Sequence, residues 1–348
     1  MLVGIHTDRY GRFFHYLERY EQILDFNNID HIRLDINQHN FWEKVAQLDL
    51  FIFRWRHTDD HHHLAQTILP IIEKDMGIKC FPNQATCWHY DDKIRQYYLL
   101  KNYGFPIIDS WIFWEKKDAL LWIEDAQFPL VFKLRRGAGS SNVVLMKNKH
   151  QATKMIHLMF GKGAMSEKIP TMDNVRLRHF NIKKEIRRLG GNFLRKIRGE
   201  DPQPAWQINK NYVLFQKYLP NNNYDTRVVI IGERAFAFRR FTRAEDFRAS
   251  GSGKLDMNKD LIDLRCVKLA LEISRKMGFQ SMAYDFLMAD NNEPQFCEIS
   301  YTYIDEPVYS CPGYWDSSLT WHEGYYWPPY FQLMDALELP GLQQPDMV

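Results

Sequence analysis

The stretch Phe128–Lys147, FPLVFKLRRGAGSSNVVLMK, constrains this chain more than any other. It predicts a strand, a glycine-rich loop and a second strand. Leu130–Leu134 is an apolar run broken only by Lys133, and Val143–Met146 is another. Gly137 and Gly139 let the backbone between them approach a ligand closely or take positive φ. Ser140 and Ser141 add hydroxyl donors, and successive N–H groups of such a turn form a nest for an anion. A lysine inside an apolar strand costs free energy unless its ammonium meets a partner or water. One anion held by Lys133 and the loop accounts for both features; an ordinary hairpin with a basic tip accounts for each separately.

The chain of 348 residues has room for two or three modules. A net charge of +2 gives no bulk attraction to nucleic acid or membrane. The five cysteines are scattered, without zinc-type pairing or a dense disulfide pattern, which points to a reducing compartment. Leu2–Ile5 meets charge at once and no long apolar run follows, so neither a signal peptide nor a membrane span is expected, and the cytoplasm is the expected location.

Residues 1–90 read as a small α/β unit. Strands are expected at Leu2–Ile5, His31–Ile36, Leu48–Trp55 and Ile78–Phe81, with helices over Tyr16–Phe26 and Leu64–Ile72. Such alternation predicts a parallel sheet. His61, His62 and His63 point in different directions on a helix, so a solvated helix start is expected there in preference to one metal site. Asp91–Tyr103 reads as a helix stopped by Gly104 and Pro106. Lys93 in its first turn opposes the helix dipole, which suits either a nearby phosphate or pairing with Asp91 or Asp92. A strand is expected over Ile107–Phe113 and helices over Trp114–Asp125 and Gln151–Phe160. Lys183–Arg198 is strongly basic; such a run is usually a solvated face, with contact to an anionic substrate or membrane surface as the alternative. The chain thus divides into 1–90, 91–211 and 212–348.

In the last part, Asp225–Ile231 is a strand on which Asp225 and Arg227 share a face. Arg239 and Arg240 face opposite sides of the next strand, Arg234–Phe241. The loop from Arg243 to Gly253 carries Arg248 and suits an oxyanion, because a guanidinium binds phosphate or carboxylate in two places. A helix is expected over Asp260–Met277. The strands Met282–Met288 and Pro294–Ile299 each hold one acid, Asp285 and Glu298, and Ser300 shares Glu298's face. A tight turn on Asn291 and Asn292 sets the two acids directly opposite, with Cβ atoms roughly 4.5–5.5 Å apart. Their repulsion calls for a cation between them, such as magnesium, or else for one protonated acid or an arginine partner. Neither a P-loop nor a Rossmann glycine motif occurs. The aromatic and proline-rich stretch Tyr301–Tyr330 reads as a tail anchored on the core, with a sugar platform as the alternative.

In this order and spacing the motifs resemble those of ATP-grasp proteins, a superfamily of carboxylate–amine ligases. The likeness runs from Phe81 to Tyr303. Asp92-Lys93 followed by KNYGFPI is similar to the family segment that carries a phosphate-binding lysine. Lys133 resembles the second nucleotide lysine, and Arg136–Asn142, with Gly137, Gly139, Ser140 and Ser141, the phosphate loop. Gln216-Lys217-Tyr218-Leu219 resembles the hinge that holds adenine, although Lys217 replaces the usual acid. Asp225 and Arg227 resemble the D-x-R strand, and Arg240 and Arg248 the basic segment beyond it. Asp285 and Glu298 match the two magnesium acids, but Ser300 stands where the family usually has asparagine, which alters the metal site. The segment from Asn223 to Gly253 is also similar to ATP-grasp proteins of bacterial surface-polysaccharide clusters.

The resemblance implies an ATP-grasp fold: an N-terminal parallel α/β domain followed by two α+β subdomains that clamp ATP. It implies ATP and Mg2+ as cofactors and a small-molecule or saccharide substrate whose carboxylate is activated as an acyl phosphate and captured by an amine. Lys133, Arg240 and Arg248 are the expected catalytic residues. A phosphotransferase on the same fold and a nucleotide-binding module without turnover are the competing expectations.

Overall fold

The protein is described by a computed structural model that covers residues 1–7, 17–55, 59–137, 142–165, 208–242 and 253–346. It divides into two compact units. The first comprises 1–56, 63–108 and 219–348, and the second 57–62 and 109–218.

The first unit opens with the expected parallel sheet. Its strands are β1 (Leu2–His6), β2 (Asp30–Leu34), β3 (Leu50–Ile52) and β4 (Lys79–Phe81), in the order β2-β1-β3-β4. Residues 50–53 are all buried, as the unbroken apolar run requires of a strand covered on both faces. His61 and His62 are buried on the helix Asp59–Pro70 rather than forming a solvated helix start.

The helix expected over Asp91–Tyr103 spans Lys93–Asn102. It starts later because Asp92 caps it, its Oδ1 accepting from the Arg95 N–H at 3.0 Å, and because Asp91 has a φ of +50°. The strand expected over Ile107–Phe113 is cut in two. Ile107 bridges to Phe296 in the first unit, and only Ser110–Phe113 forms β5, in the second.

The second unit is built on an antiparallel sheet in the order β5-β10-β6-β7, with β6 at Leu130–Lys133, β7 at Val143–Met146 and β10 at Val213–Lys217. A separate short ladder pairs β8 (Ala164–Met165) with β9 (Ile208–Asn209). Trp122, on the helix Lys116–Trp122, packs its ring on Trp111, Phe113 and Phe215 at 5.0, 5.2 and 5.8 Å. Those three side chains therefore mark the helix-covered face, and Phe132, in register with Phe215, shares it. Ser110, Gln216, Val131 and Lys133 fall on the opposite face by the alternation of the pleat.

The large sheet of the first unit runs β15-β14-β11-β12-β16-β17. Its members are β11 (Tyr224–Ile231), β12 (Arg234–Phe241), β13 (Leu255–Asp256, paired to β12), β14 (Ser281–Met288), β15 (Pro294–Ser300), β16 (Gly313–Trp315) and β17 (Trp321–Glu323). One face carries Val228, Ile230, Met282 and Tyr284 and shares a core with the helix Leu264–Met277. That helix begins four residues later than expected because Asp263 caps it.

The other face changes character along its length. Val229, Ile231, Phe236 and Ala283 are covered by Tyr303, Val308, Cys311 and Phe331 of the C-terminal stretch. Two to four residues further along the same strands, the same face turns to Asp225, Arg227, Arg240 and Asp285. The aromatic stretch is thus an anchored wrap: Trp315, Trp327 and Phe331 are buried, and Trp327 stacks on Tyr309 at 4.1 Å. The helix Pro328–Ala336 also lends Leu333 to the core of the N-terminal sheet. Among the described residues no helix is long and apolar enough to cross a membrane.

Candidate functional site

The acid pair lies where the sequence predicts, by a different route. The turn is not two residues long. Ala289 N–H donates to Glu293 O at 2.9 Å and Asn292 N–H to Ala289 O at 2.8 Å, with Asn292 at a φ of +59°. Such a three-residue loop centred on Asn291 sets Cys297 opposite Asp285. A register shift between Asp285 and Phe286 corrects this by one residue and brings Glu298 opposite Asp285. The bulge thus places both acids on the charged face.

Arginines neutralise Asp285. Arg227 sits directly across the β11–β14 ladder from it and closes a fork, Nε to Oδ1 at 2.7 Å and Nη2 to Oδ2 at 2.8 Å. Arg240 Nη2 approaches the same Oδ2 at 2.7 Å from β12. Arg240 in turn faces Asp225 across the β11–β12 ladder and binds it by Nε and Nη2, both at 2.6 Å. Its neighbour Arg239 turns to the other side and pairs with Asp256, as adjacency on a strand requires.

Glu298 has its own cation. Lys93 Nζ lies 3.2 Å from Glu298 Oε1, so the lysine pairs with the hairpin and not with Asp92, whose carboxylate caps the helix and holds Arg95. Three acids and three bases therefore form one charge-balanced cluster, of which Lys93, Asp225, Arg240 and Asp285 are each less than a tenth exposed.

Burial penalises every charge here, and the partners decide the outcome. Burial alone raises the Asp285 carboxyl, but Arg227 and Arg240 overcome it and hold the group well below the ordinary carboxylate range. Burial also raises Asp225, and the nearby Asp285 charge adds to this against the pull of Arg240, so Asp225 lies above its ordinary value. Burial disfavours charge on Arg240 and Lys93, yet their acids outweigh it and both are raised.

This arrangement does not fit a two-carboxylate magnesium site. Magnesium takes carboxylate oxygens directly in a close octahedral shell, and both oxygens of Asp285 already accept guanidinium hydrogens. Among the described residues no group of three or more His, Cys, Asp or Glu is placed to hold a metal. Ser300 Oγ donates to the Thr302 carbonyl at 2.9 Å, and Thr302 Oγ1 donates to Tyr90 Oη at 2.9 Å. Tyr90 and Thr302 thus brace Ser300; sequence reasoning missed both, although Tyr90 adjoins the Asp91–Lys93 segment.

The second unit holds the other candidates. Lys133 is buried on β6, and Gln216 shares its face, donating from Nε2 to Ser110 Oγ at 3.2 Å. Gly137 takes a φ of +104°, so the loop does need glycine there. Asn142 Nδ2 donates to the Arg136 carbonyl at 2.8 Å and closes the loop base. The Lys217 N–H donates to Asp109 O at 2.8 Å while its side chain is exposed. The second unit ends at Tyr218, and Leu219, buried, belongs to the first. Gly139, Ser140, Ser141, Arg248 and the basic run Lys183–Arg198 lie outside the described residues.

A parallel α/β sheet followed by antiparallel sheets, with paired acids and bases on the largest, is similar to the fold of solved ATP-grasp proteins. More narrowly, a model of the RimK-like ATP-grasp domain matches residues 171–303. Similar solved structures include the D-cycloserine synthetase DcsG, 12% identical, covering 97% of this chain and 100% of that one with a TM-score of 0.55. Biotin carboxylase from Campylobacter jejuni, in its β,γ-ATP complex, is 11% identical over 96% of this chain and 70% of its own, with a TM-score of 0.58. The ATP-grasp ligase PsnB, complexed with the precursor peptide PsnA2 and AMPPNP, is 12% identical over 87% and 90%, with a TM-score of 0.51. At these identities the likeness is one of fold. No curated protein matches the sequence.

Proposed function

We propose that this protein is an ATP-dependent carboxylate–amine ligase with magnesium–ATP as substrate. The observation that carries the reading is the buried, charge-balanced cluster of Lys93, Asp225, Arg227, Arg240, Asp285 and Glu298. Basic groups held in place beforehand by buried acids suit a reaction in which charge moves between phosphate oxygens, because little reorganisation is then needed. Lys133, Arg136, Gly137 and the segment Gln216–Leu219 are proposed to hold the nucleotide.

In the first step a substrate carboxylate oxygen attacks the terminal phosphorus, the bond to the ADP oxygen breaks, and an acyl phosphate forms. In the second an amine nitrogen attacks the acyl carbon, phosphate leaves, and the nitrogen loses a proton. The protein provides no covalent nucleophile; Lys93, Lys133, Arg240 and Arg248 are proposed to offset charge. The carboxylate substrate is proposed to be a sugar acid or amino acid of surface-polysaccharide synthesis, on the resemblance of the segment Asn223–Gly253, and the use of ATP suits a cytoplasmic enzyme.

Calorimetry of magnesium–ATP binding tests the reading. Micromolar binding is expected, weakened at least tenfold (about 1.4 kcal/mol) by Lys133→Ala and by Glu298→Ala. Folded protein that binds no ATP overturns it. Product analysis then separates a ligase, which yields a new amide with ADP and phosphate, from a phosphotransferase, which yields ADP and a stable phosphorylated acceptor.

A further inference from the structure

Resting on the nucleotide reading of this site, we infer that Asp285 is the counter-ion that positions Arg227 and Arg240 and not a ligand for a divalent cation. The chain then meets the phosphates of its nucleotide with two guanidinium groups at the place where a second metal-binding carboxylate is expected.

The sheet itself imposes the pairing. Arg227 is the register partner of Asp285 on the neighbouring strand, and the bond is a two-pronged fork. Arg240 is locked in the same way to Asp225, its own register partner, and from there reaches Oδ2 of Asp285. A divalent ion on Asp285 would displace one or both guanidinium groups or sit beside them, and in a buried cluster neither neighbour could be screened by water.

The arginines keep a free edge. Each uses Nε and Nη2 on its acid, and Nη1 of each donates to no described residue. Neither Nη1 is among the fully buried unpartnered atoms. Two donors fixed on one edge and open on the other form a receptor for a phosphate oxygen. Glu298 differs from Asp285: among the described residues it pairs with Lys93 alone, at one oxygen, and its side chain is 36% exposed. It is the carboxylate that remains available to a cation arriving with the nucleotide.

The sign of one substitution tests this on the full chain. Asp285→Asn removes the negative charge and leaves both arginines. With chelator present, pyrophosphate titrated by calorimetry is expected to bind about threefold tighter or more than to the unsubstituted protein. Mn2+ affinity in the ADP complex, followed by electron paramagnetic resonance, is expected to change less than twofold. A tenfold loss of Mn2+ affinity with unchanged metal-free pyrophosphate binding overturns the inference and leaves the nucleotide reading intact. Absence of pyrophosphate and ADP binding in both proteins overturns both. Should Asp285→Asn fail to fold, the unsubstituted protein and Glu298→Gln decide. The inference expects no submillimolar Mn2+ site without nucleotide, whereas such a site, abolished by Glu298→Gln, overturns it.

Discussion

Arg227 and Asp285 face each other across β11 and β14 and close an ion pair with two bonds of 2.7 and 2.8 Å, although 58 residues separate them in the chain. Removing one partner leaves the other charged and largely buried, whereas removing both relieves the desolvation cost of each. Arg227→Met is therefore expected to lower the unfolding free energy by about 3 kcal/mol. The double substitution with Asp285→Leu is expected to recover roughly half of that, because Arg240 still has Asp225. Urea unfolding of the four proteins of the cycle measures the coupling; additive losses would show that the fork contributes nothing.

The Lys93–Glu298 pair is asymmetric. Lys93 is almost fully buried at the positive end of its helix, while Glu298 is partly open to water. Without the lysine, Glu298 rehydrates; without the glutamate, an ammonium stays buried against the helix dipole, with Asp91 the other acid acting on it among the described residues. Glu298→Gln is expected to cost about 2 kcal/mol of stability and Lys93→Gln about 1 kcal/mol. Equal losses in urea unfolding would contradict this account.

Asn142 braces the base of the glycine loop. Its Nδ2 donates to the Arg136 carbonyl and its own carbonyl accepts from the Leu134 N–H at 3.0 Å, with the residue 2% exposed. Asn142→Ala removes this hydrogen bond to the Arg136 carbonyl and opens space at the loop base. A loss of about 1–2 kcal/mol is expected, read as a lower melting temperature. Asn142→Gln, which keeps the donor at a longer reach, is expected to lose less.

Local signals were legible and long-range ones were not. The period of two put Asp225 and Arg227 on one face and split Arg239 from Arg240, because that alternation is a property of the strand alone. It did not say that β14 lies beside β11, so the arginine partner of Asp285 stayed one option among three. The opposition of Asp285 and Glu298 was expected from a two-residue turn and arises instead from a three-residue loop plus a bulge, two deviations of one residue that cancel. Lys93 had acids beside it in sequence, but Asp92 is consumed by the helix cap, so the lysine reaches Glu298. The strand expected over Ile107–Phe113 failed for a related reason. Ile107 pairs with Phe296 and β5 pairs with β10, and neither partner is visible from the run itself.

His89, four residues before Lys93, supplies a pH dependence separate from the acids. It is buried, its ring packs on Phe279 at 5.1 Å, and neither ring nitrogen has a partner among the described residues. Burial pushes its pKa down from 6.5 to about 4, against the pull of Asp92. The folded-state value lies below the unfolded one, so between them the unfolded chain binds the extra proton. Stability is then complete above pH 6.5 and lost as pH falls towards about 4, by about 3 kcal/mol in all. Carboxylates also titrate at the lower end of that window, and a substituted protein separates the two. The urea midpoint of His89→Leu is expected to fall much less between pH 6.5 and pH 5 than that of the unsubstituted protein, because few carboxylates change charge there. Parallel curves over that interval would mean that the His89 imidazole is not the source.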